Sequence, residues 1–275
     1  MKTILACLTG EEHAADVLSA AVPLARRHMS HLIGLHALEA LIVYPGTSMH
    51  IPDVVYESMA QSQTKTADLL EAIFQDKVRP EDFVSEWRCV KAQTTPPAAR
   101  IVEAARSVDL VIMAQADASE DRADRHYVLE HVIRQSGRPV LHVPNGYRGD
   151  VIGNKVIIGW SPTREATRAV HDAIPLMMPG ADVAIVSVSG GDGAESAGAT
   201  ELARALDRHG FKAEVVQRTA AKANIGEMLE REALERGADL IVTGAFGHSR
   251  VYDFVIGAVT LELMHSAVVP VLFAR

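Results

Sequence analysis

Cysteine is almost absent. Cys7 and Cys89 are the two in a chain of 275 residues, and neither belongs to a C-x-x-C pair or a metal-ligand spacing. A disulfide framework is therefore excluded, and two thiols in apolar strand candidates, read as buried, fit a reducing compartment. Positive charge is also in short supply. With 27 Lys and Arg against 35 Asp and Glu, the net charge is −8, the wrong sign for a general binder of nucleic acid or of an anionic membrane surface. Long apolar runs are missing too: none approaches the ~20 residues that span a bilayer. The opening Met1 to Leu8 is apolar but short, and Glu11, Glu12 and Asp16 follow at once, so it does not read as a signal peptide. The expected location is cytoplasmic. The length suits two domains of ordinary size.

The most specific feature lies near the C-terminus. After the apolar run Leu240-Ile241-Val242 comes Thr243-Gly244-Ala245-Phe246-Gly247, then nine residues, then Gly257-Ala258-Val259-Thr260. Val259, Leu263 and Met264 have helical spacing, and Val269 to Phe273 reads as another strand. The spacing G-x2-G-x9-G thus sits between a buried-type strand and an expected helix start. Glycines there let backbone N–H groups approach a phosphate, and the helix dipole favours its charge.

The chain is also a repeat. Ile4 to Gly10 followed by a helix to Ala21-Val22-Pro23-Leu24 matches Val156 to Pro162 followed by a helix to Ala173-Ile174-Pro175-Leu176, at an offset of 152 (175 − 23). Asp109-Leu110-Val111-Ile112 through Pro139-Val140-Leu141 matches Asp239-Leu240-Ile241-Val242 through Pro270-Val271-Leu272 at 130 to 131. The first half therefore carries roughly 21 extra residues (152 − 131) within Leu41–Thr66, a stretch whose Tyr44-Pro45-Gly46 and Ile51-Pro52-Asp53 read as loop. Each half alternates five apolar strands with helices. The pattern predicts strands near 3–8, 32–38, 84–90, 109–114 and 139–143, and near 155–160, 182–188, 212–217, 239–243 and 269–273. Such alternation means a parallel sheet covered on both faces, with ligands beyond the strands' C-terminal ends. The fold class is α/β: two tandem doubly wound, Rossmann-like domains with a five-stranded parallel sheet each, over residues 1–146 and 151–275. The polar stretch Asn145 to Asn154 links them.

The glycine segment resembles the nucleotide loop of the universal stress protein family, whose pattern is G-x2-G-x9-G followed by Ser or Thr. Gly244, Gly247, Gly257, Val259 and Thr260 match. Ala258 stands where the family has a hydroxyl. Ile158 to Ala166 is similar to the first strand and helix of the family's tandem form, so the resemblance covers residues 2–274. It implies an adenine nucleotide alpha hydrolase-like fold and a bound ATP, ADP or AMP, with or without magnesium. It also implies that the phosphates lie on the backbone of Gly244, Gly247, Gly257, Ala258 and Val259, with Thr260 partly replacing the lost hydroxyl. His248 and Ser249 would meet phosphate or solvent. Ser161 stands where the family often has a ribose-binding Asp. Two readings of it remain open: a ribose contact, or the opening of a helix whose N-cap is Thr163. Val188 matches the position whose backbone meets adenine.

The first half has lost the loop. It reads Ala114-Gln115-Ala116-Asp117-Ala118-Ser119-Glu120-Asp121, and His126 aligns with Gly257. Its acidic residues would repel phosphate. Ser189-Gly190-Gly191-Asp192 superficially resembles a pyrophosphatase loop but follows the second strand of its half, and reads as a plain loop. His28 and His31 are spaced for a metal, yet no further ligands cluster near them in sequence, so they read as surface or helix-end histidines. No catalytic triad is visible. The expectation is a nucleotide-binding stress-response regulator. Its rivals are a slow ATP hydrolase and a protein–protein scaffold. The family's last strands pair across two domains, which implies an internal pseudo-dimer. Leu41–Thr66 is the candidate surface for a further homodimer.

Overall fold

A computed structural model describes residues 1–38, 53–91, 96–115, 122–189, 198–219, 225–247 and 253–275. The first half runs β1 (Thr3–Cys7), α1 (Glu11–His28), β2 (His31–Leu38), α2 (Asp53–Val78), β3 (Ser85–Lys91), α3 (Pro97–Ala105), β4 (Leu110–Ala114), α4 (Arg122–Gln135) and β5 (Val140–Val143). The second runs β6 (Lys155–Trp160), α5 (Arg164–Ala173), β7 (Asp182–Ser189), α6 (Ala199–Arg208), β8 (Lys212–Thr219), α7 (Ile225–Arg236), β9 (Leu240–Gly244), α8 (Asp253–Ser266) and β10 (Val271–Ala274).

The strands are apolar throughout because both faces of the sheet are covered, and their alternation sorts side chains between two layers. Ile4, Ala6, Leu141, Val242 and Leu272 face one layer, packed against α1, α2, α5 and α6. Leu5, Cys7, Val140, Ile241 and Phe273 face the other, packed against α3, α4, α7 and α8. Within each half the order is third, second, first, fourth, fifth strand, all parallel.

The two half-sheets join into one of ten strands through β5 and β10, which pair antiparallel. Leu141 faces Leu272, Val140 faces Phe273 and His142 faces Val271. Val140, Leu141 and His142 correspond in the repeat to Val271, Leu272 and Phe273, so this register is that of a local two-fold axis through the leucine pair. Asp109 and Asp239 hold equivalent places. Asp109 accepts the N–H groups of Lys2 (2.5 Å) and Thr3 (3.0 Å); Asp239 accepts those of Gly153 (2.6 Å), Asn154 (3.1 Å) and Lys155 (3.2 Å). The linker is pinned further: Gly146 N–H donates to buried Asp16 at 2.9 Å, and Arg27 donates to the carbonyls of Ile152 (2.9 Å) and Leu176 (2.7 Å).

Three expectations are corrected. Cys89 is exposed, because β3 is an outer strand of the sheet among the described residues; Cys7 is buried, and burial pushes its thiol up to about 12. The extra residues of the first half are not all loop. Residues 53–66 are the opening turns of α2, which has 26 residues where α6 has 10. The rest of that loop reading, Tyr44-Pro45-Gly46 and Ile51-Pro52, lies outside the described residues. Finally, α8 begins at Asp253, four residues ahead of Gly257. One interior glycine costs a helix only about 1 kcal/mol relative to alanine, so the apolar run carries the helix through it.

Candidate functional site

In the second half the strand order reverses between β6 and β9, which are hydrogen-bonded neighbours with Gly159 opposite Thr243. The crevice beyond their C-terminal ends is where doubly wound sheets bind ligands. Ser161 follows β6 there, and Gly244 to Gly247 follow from β9. Thr163 is the N-cap of α5, its hydroxyl accepting the Ala166 N–H at 3.2 Å. The Ser161 hydroxyl lies 3.3 Å from that of Thr163 and is half-buried.

Each residue of the Gly244–Gly247 turn is set by what it touches. A Cβ on Gly244 would lie 2.5 Å from the Ala166 nitrogen and 2.7 Å from the Glu165 carbonyl carbon, so glycine alone lets β9 end against the first turn of α5. Ala245 donates its N–H to the Ala274 carbonyl at 2.8 Å, extending the β9–β10 ladder. Phe246 is 4% exposed and adopts a left-handed φ of 50°. A Cβ on Gly247 would meet a Glu165 carboxylate oxygen at 2.9 Å.

Glu165 is a buried carboxylate beside the glycine turn, and its Oε1 accepts from Arg164 Nε at 2.5 Å. Its acidic charge near the start of α5 suits the helix dipole. On the other side of the turn, the guanidinium of Arg134, from α4 of the first half, sits 3.5 Å from the centroid of the Phe246 ring.

The structure brings Ser161, Gly244 and Gly247 together around the first turn of α5. Val188, near the end of β7, is half-buried against the apolar layer that also holds Phe246 and Val259. Within α8, Val259 is 9% exposed and Thr260 fully buried. Gly257 and Ala258 belong to the second turn of that helix. His248 and Ser249 lie outside the described residues. So do Gly190 to Asp192 and Ala116 to Asp121. His28 ends α1, and His31 opens β2 with Nε2 3.4 Å from Glu86, so the pair does not converge on one point. Sequence reasoning missed Glu165, Phe246 and Arg134. Glu165 had only the signal of an acidic first turn. Phe246 had the signal of a bulky residue inside a glycine turn. Arg134 had none, because its contact arises from the β5–β10 seam.

A recess of about 680 Å³ lies at the opposite, N-terminal ends of β6, β7 and β8, lined by Lys155, Asp182, Lys212, Glu214 and Arg236 among others. Two ion pairs lie along it, Lys212 with Asp182 at 3.6 Å and Arg236 with Glu214, and Lys155 donates to the Arg236 carbonyl at 3.3 Å. It is remote from the glycine turn.

The model of the universal stress protein family matches the chain twice, over residues 1–144 and 155–275. Among solved structures, a universal stress protein from Archaeoglobus fulgidus is similar at a TM-score of 0.75 and 14% identity, covering 99% of this chain and 96% of that one. A protein of unknown function from Pseudomonas aeruginosa PAO1 follows at 0.60 and 13%, covering 100% and 92%. A universal stress protein described as such only provisionally, from Pseudomonas aeruginosa UCBPP-PA14, reaches 0.58 and 14%, covering 100% and 93%. These likenesses show the fold over the full tandem. No curated protein matches the chain.

Proposed function

The chain belongs to the universal stress protein family, with two family units in tandem, and on that footing we propose that it binds one adenine nucleotide in its second half and acts as a ligand-dependent regulator. One observation carries the reading. The G-x2-G-x9-G sequence stands at the C-terminal end of β9, at the switch point of its half-sheet, whereas the equivalent end of β4 carries Ala114 and no glycine turn. Gly244 and Gly247 would hold the phosphates by backbone N–H groups, Ser161 the ribose, and the Val188 backbone the adenine, whereas Gly257, in the second turn of α8, spends its N–H within the helix and drops out of the cradle that the resemblance implied. Ala258 withholds a hydroxyl, worth about 0.5–1.5 kcal/mol for a neutral hydrogen bond and up to ~3 for one to a charged partner, so the backbone cradle bears most of the affinity. Glu165 beside Gly247 opposes a phosphate, and its pairing with Arg164 offsets part of that charge.

The first half, proposed as residues 1–146, is architectural. The β5–β10 pairing supports reading the two halves as a pseudo-symmetric pair that takes the place of a dimer of single units. The exposed Val54, Val55 and Met59 on the first turns of α2 are the surface proposed for any further self-association. A cytoplasmic location accords with the described helices, none of which is long and apolar enough to cross a membrane.

Calorimetric titration with ATP tests the reading. We expect one site per chain, abolished in Gly247→Asp, whose carboxylate would stand where a phosphate must approach. Two equal sites, or full binding by Gly247→Asp, would overturn it. Absence of heat with ATP, ADP and AMP alike would favour a scaffold.

A further inference from the structure

We propose that Arg134, on the half that lacks a nucleotide loop, is a positioning residue for the loop of the other half, so that the first half controls the second half's site by holding Phe246. This rests on the nucleotide reading above and specifies how that site is regulated.

The argument starts at Phe246. A bulky side chain at positive φ is disfavoured, and Phe246 has a φ of 50°, so its surroundings must hold it. Those surroundings come from both halves. Within its own half the ring joins the apolar layer with Val259 and Leu263. From the first half, Arg134 covers the ring with its guanidinium carbon 3.5 Å from the centroid. The guanidinium is itself oriented by Glu130, one turn back on α4, at 2.7 Å. The Arg134 carbonyl accepts from the C-terminal Arg275 at 3.2 Å, which ties the end of α4 to the strand beside β9.

Topology makes this contact systematic. Because β5 and β10 are antiparallel, the C-terminal end of α4 lies at the same edge of the sheet as the C-terminal end of β9. The reciprocal contact is present: Gln115, following β4, donates its side-chain amide to the carbonyl of His265 in the last turn of α8. His265 corresponds to Arg134 in the repeat, and Gln115 to Ala245. Each half thus places the last turn of its fourth helix against the turn after the other half's fourth strand. Only the second half keeps glycines at that turn in its sequence, and there the partner helix supplies a cation stacked on an aromatic ring. Phe246 adjoins Gly247, so freedom at Phe246 becomes freedom of the amides proposed to face phosphate.

The test uses the full chain with Arg134→Ala, Arg134→Lys, Phe246→Leu and the Arg134→Ala/Phe246→Leu double variant. Hydrogen exchange in the ligand-free proteins reads the loop without reference to nucleotide. Arg134→Ala should speed exchange at Ala245 to Gly247 by about tenfold, the scale of a partly desolvated cation–π contact, with β1 and β6 unchanged. Arg134→Lys, which keeps the charge but not the planar stack, should fall between. ATP affinity should drop about five- to tenfold in Arg134→Ala, with the double variant no weaker than the worse single one. Unchanged loop exchange in Arg134→Ala, or acceleration spread equally over α4 and β5, would overturn the proposal. If the native chain binds no adenine nucleotide while Arg134→Ala still loosens the loop, the nucleotide reading fails and the positioning role stands.

Discussion

Replacing Gly244 by alanine isolates the packing requirement at the end of β9. The added Cβ would sit 2.5 Å from the Ala166 nitrogen, 2.7 Å from the Glu165 carbonyl carbon and 3.0 Å from the Ala166 Cα. All three are backbone atoms of the first turn of α5, so no side chain can rotate away. The helix must shift by roughly half an ångström or more, yet its first turn is fixed by the Thr163 cap, and Ala166, Ala169, Val170 and Ala173 are buried. Overpacking of this kind costs about 1–3 kcal/mol. For a unit of this size about 2 kcal/mol lowers the melting temperature by roughly 4–8 °C. Gly247→Ala is the internal comparison. Its Cβ would meet the end of the Glu165 side chain at 2.9 Å, which can turn, so its cost should stay below about 1 kcal/mol. Urea unfolding followed by circular dichroism, with calorimetric melting as a second measure, reads both variants. Equal stability of Gly244→Ala and the native chain would refute the claim that glycine is needed for the approach of β9 to α5. A loss in Gly247→Ala as large as that in Gly244→Ala would refute the distinction between backbone and side-chain obstruction.

Two further outcomes are expected. Glu165→Gln removes the buried charge beside Gly247 and should tighten ATP by several-fold while leaving adenosine unchanged, since a neighbouring unit charge at an effective dielectric of about 20 contributes a few kcal/mol before partner screening; a calorimetric gain equal for both ligands would contradict the placement of phosphate at this turn. Glu232 is 1% exposed, and although burial alone would raise its carboxyl, hydrogen bonds from Arg218 and Arg236 outweigh this and leave it below the usual carboxylate range. A lowered folded-state pKa gives stability that is present above the unfolded value of about 4.5 and lost as pH falls through the folded one, so Glu232→Gln should cost about 1–3 kcal/mol near neutrality, discounted because both arginines are about one-third exposed, and should flatten the acid limb of a stability–pH profile; an unaltered acid limb would remove this cluster as its source.

The strands were legible in the sequence because they are buried on both faces: β4 reads Leu-Val-Ile-Met-Ala and β9 Leu-Ile-Val-Thr-Gly, and runs of that kind between helical periods have few other readings. The offset between the repeats located the extra residues, but not their conformation, since helical periodicity over 53–66 is obscured where few side chains are buried: Val54, Val55 and Met59 are all exposed. Cys89 was misplaced for the related reason that an apolar-looking strand does not reveal its position in the sheet. In the candidate site the glycines were legible because their spacing is chemical. Glu165 and Arg134 were not. A buried carboxylate one residue into a helix looks in sequence like any acidic first turn. A cation contributed from more than a hundred residues away depends on the register of β5 against β10.

That register also bears on how the chain reaches its native state. Leu141 and Leu272, paired at its centre, are 131 residues apart (272 − 141), whereas each other strand pairing lies within one half. Contacts that close long loops pay their entropy before they are rewarded and form late. Assembly of each half should therefore precede the seam, and an intermediate with β5 and β10 unpaired should present two short apolar edges. Such edges invite pairing with other chains while they last. During synthesis the first half would expose β5 until β10, which follows it in the chain, has been made. The seam that unites the ten strands is on this account the slowest part of the molecule to appear and the period of greatest risk of aggregation.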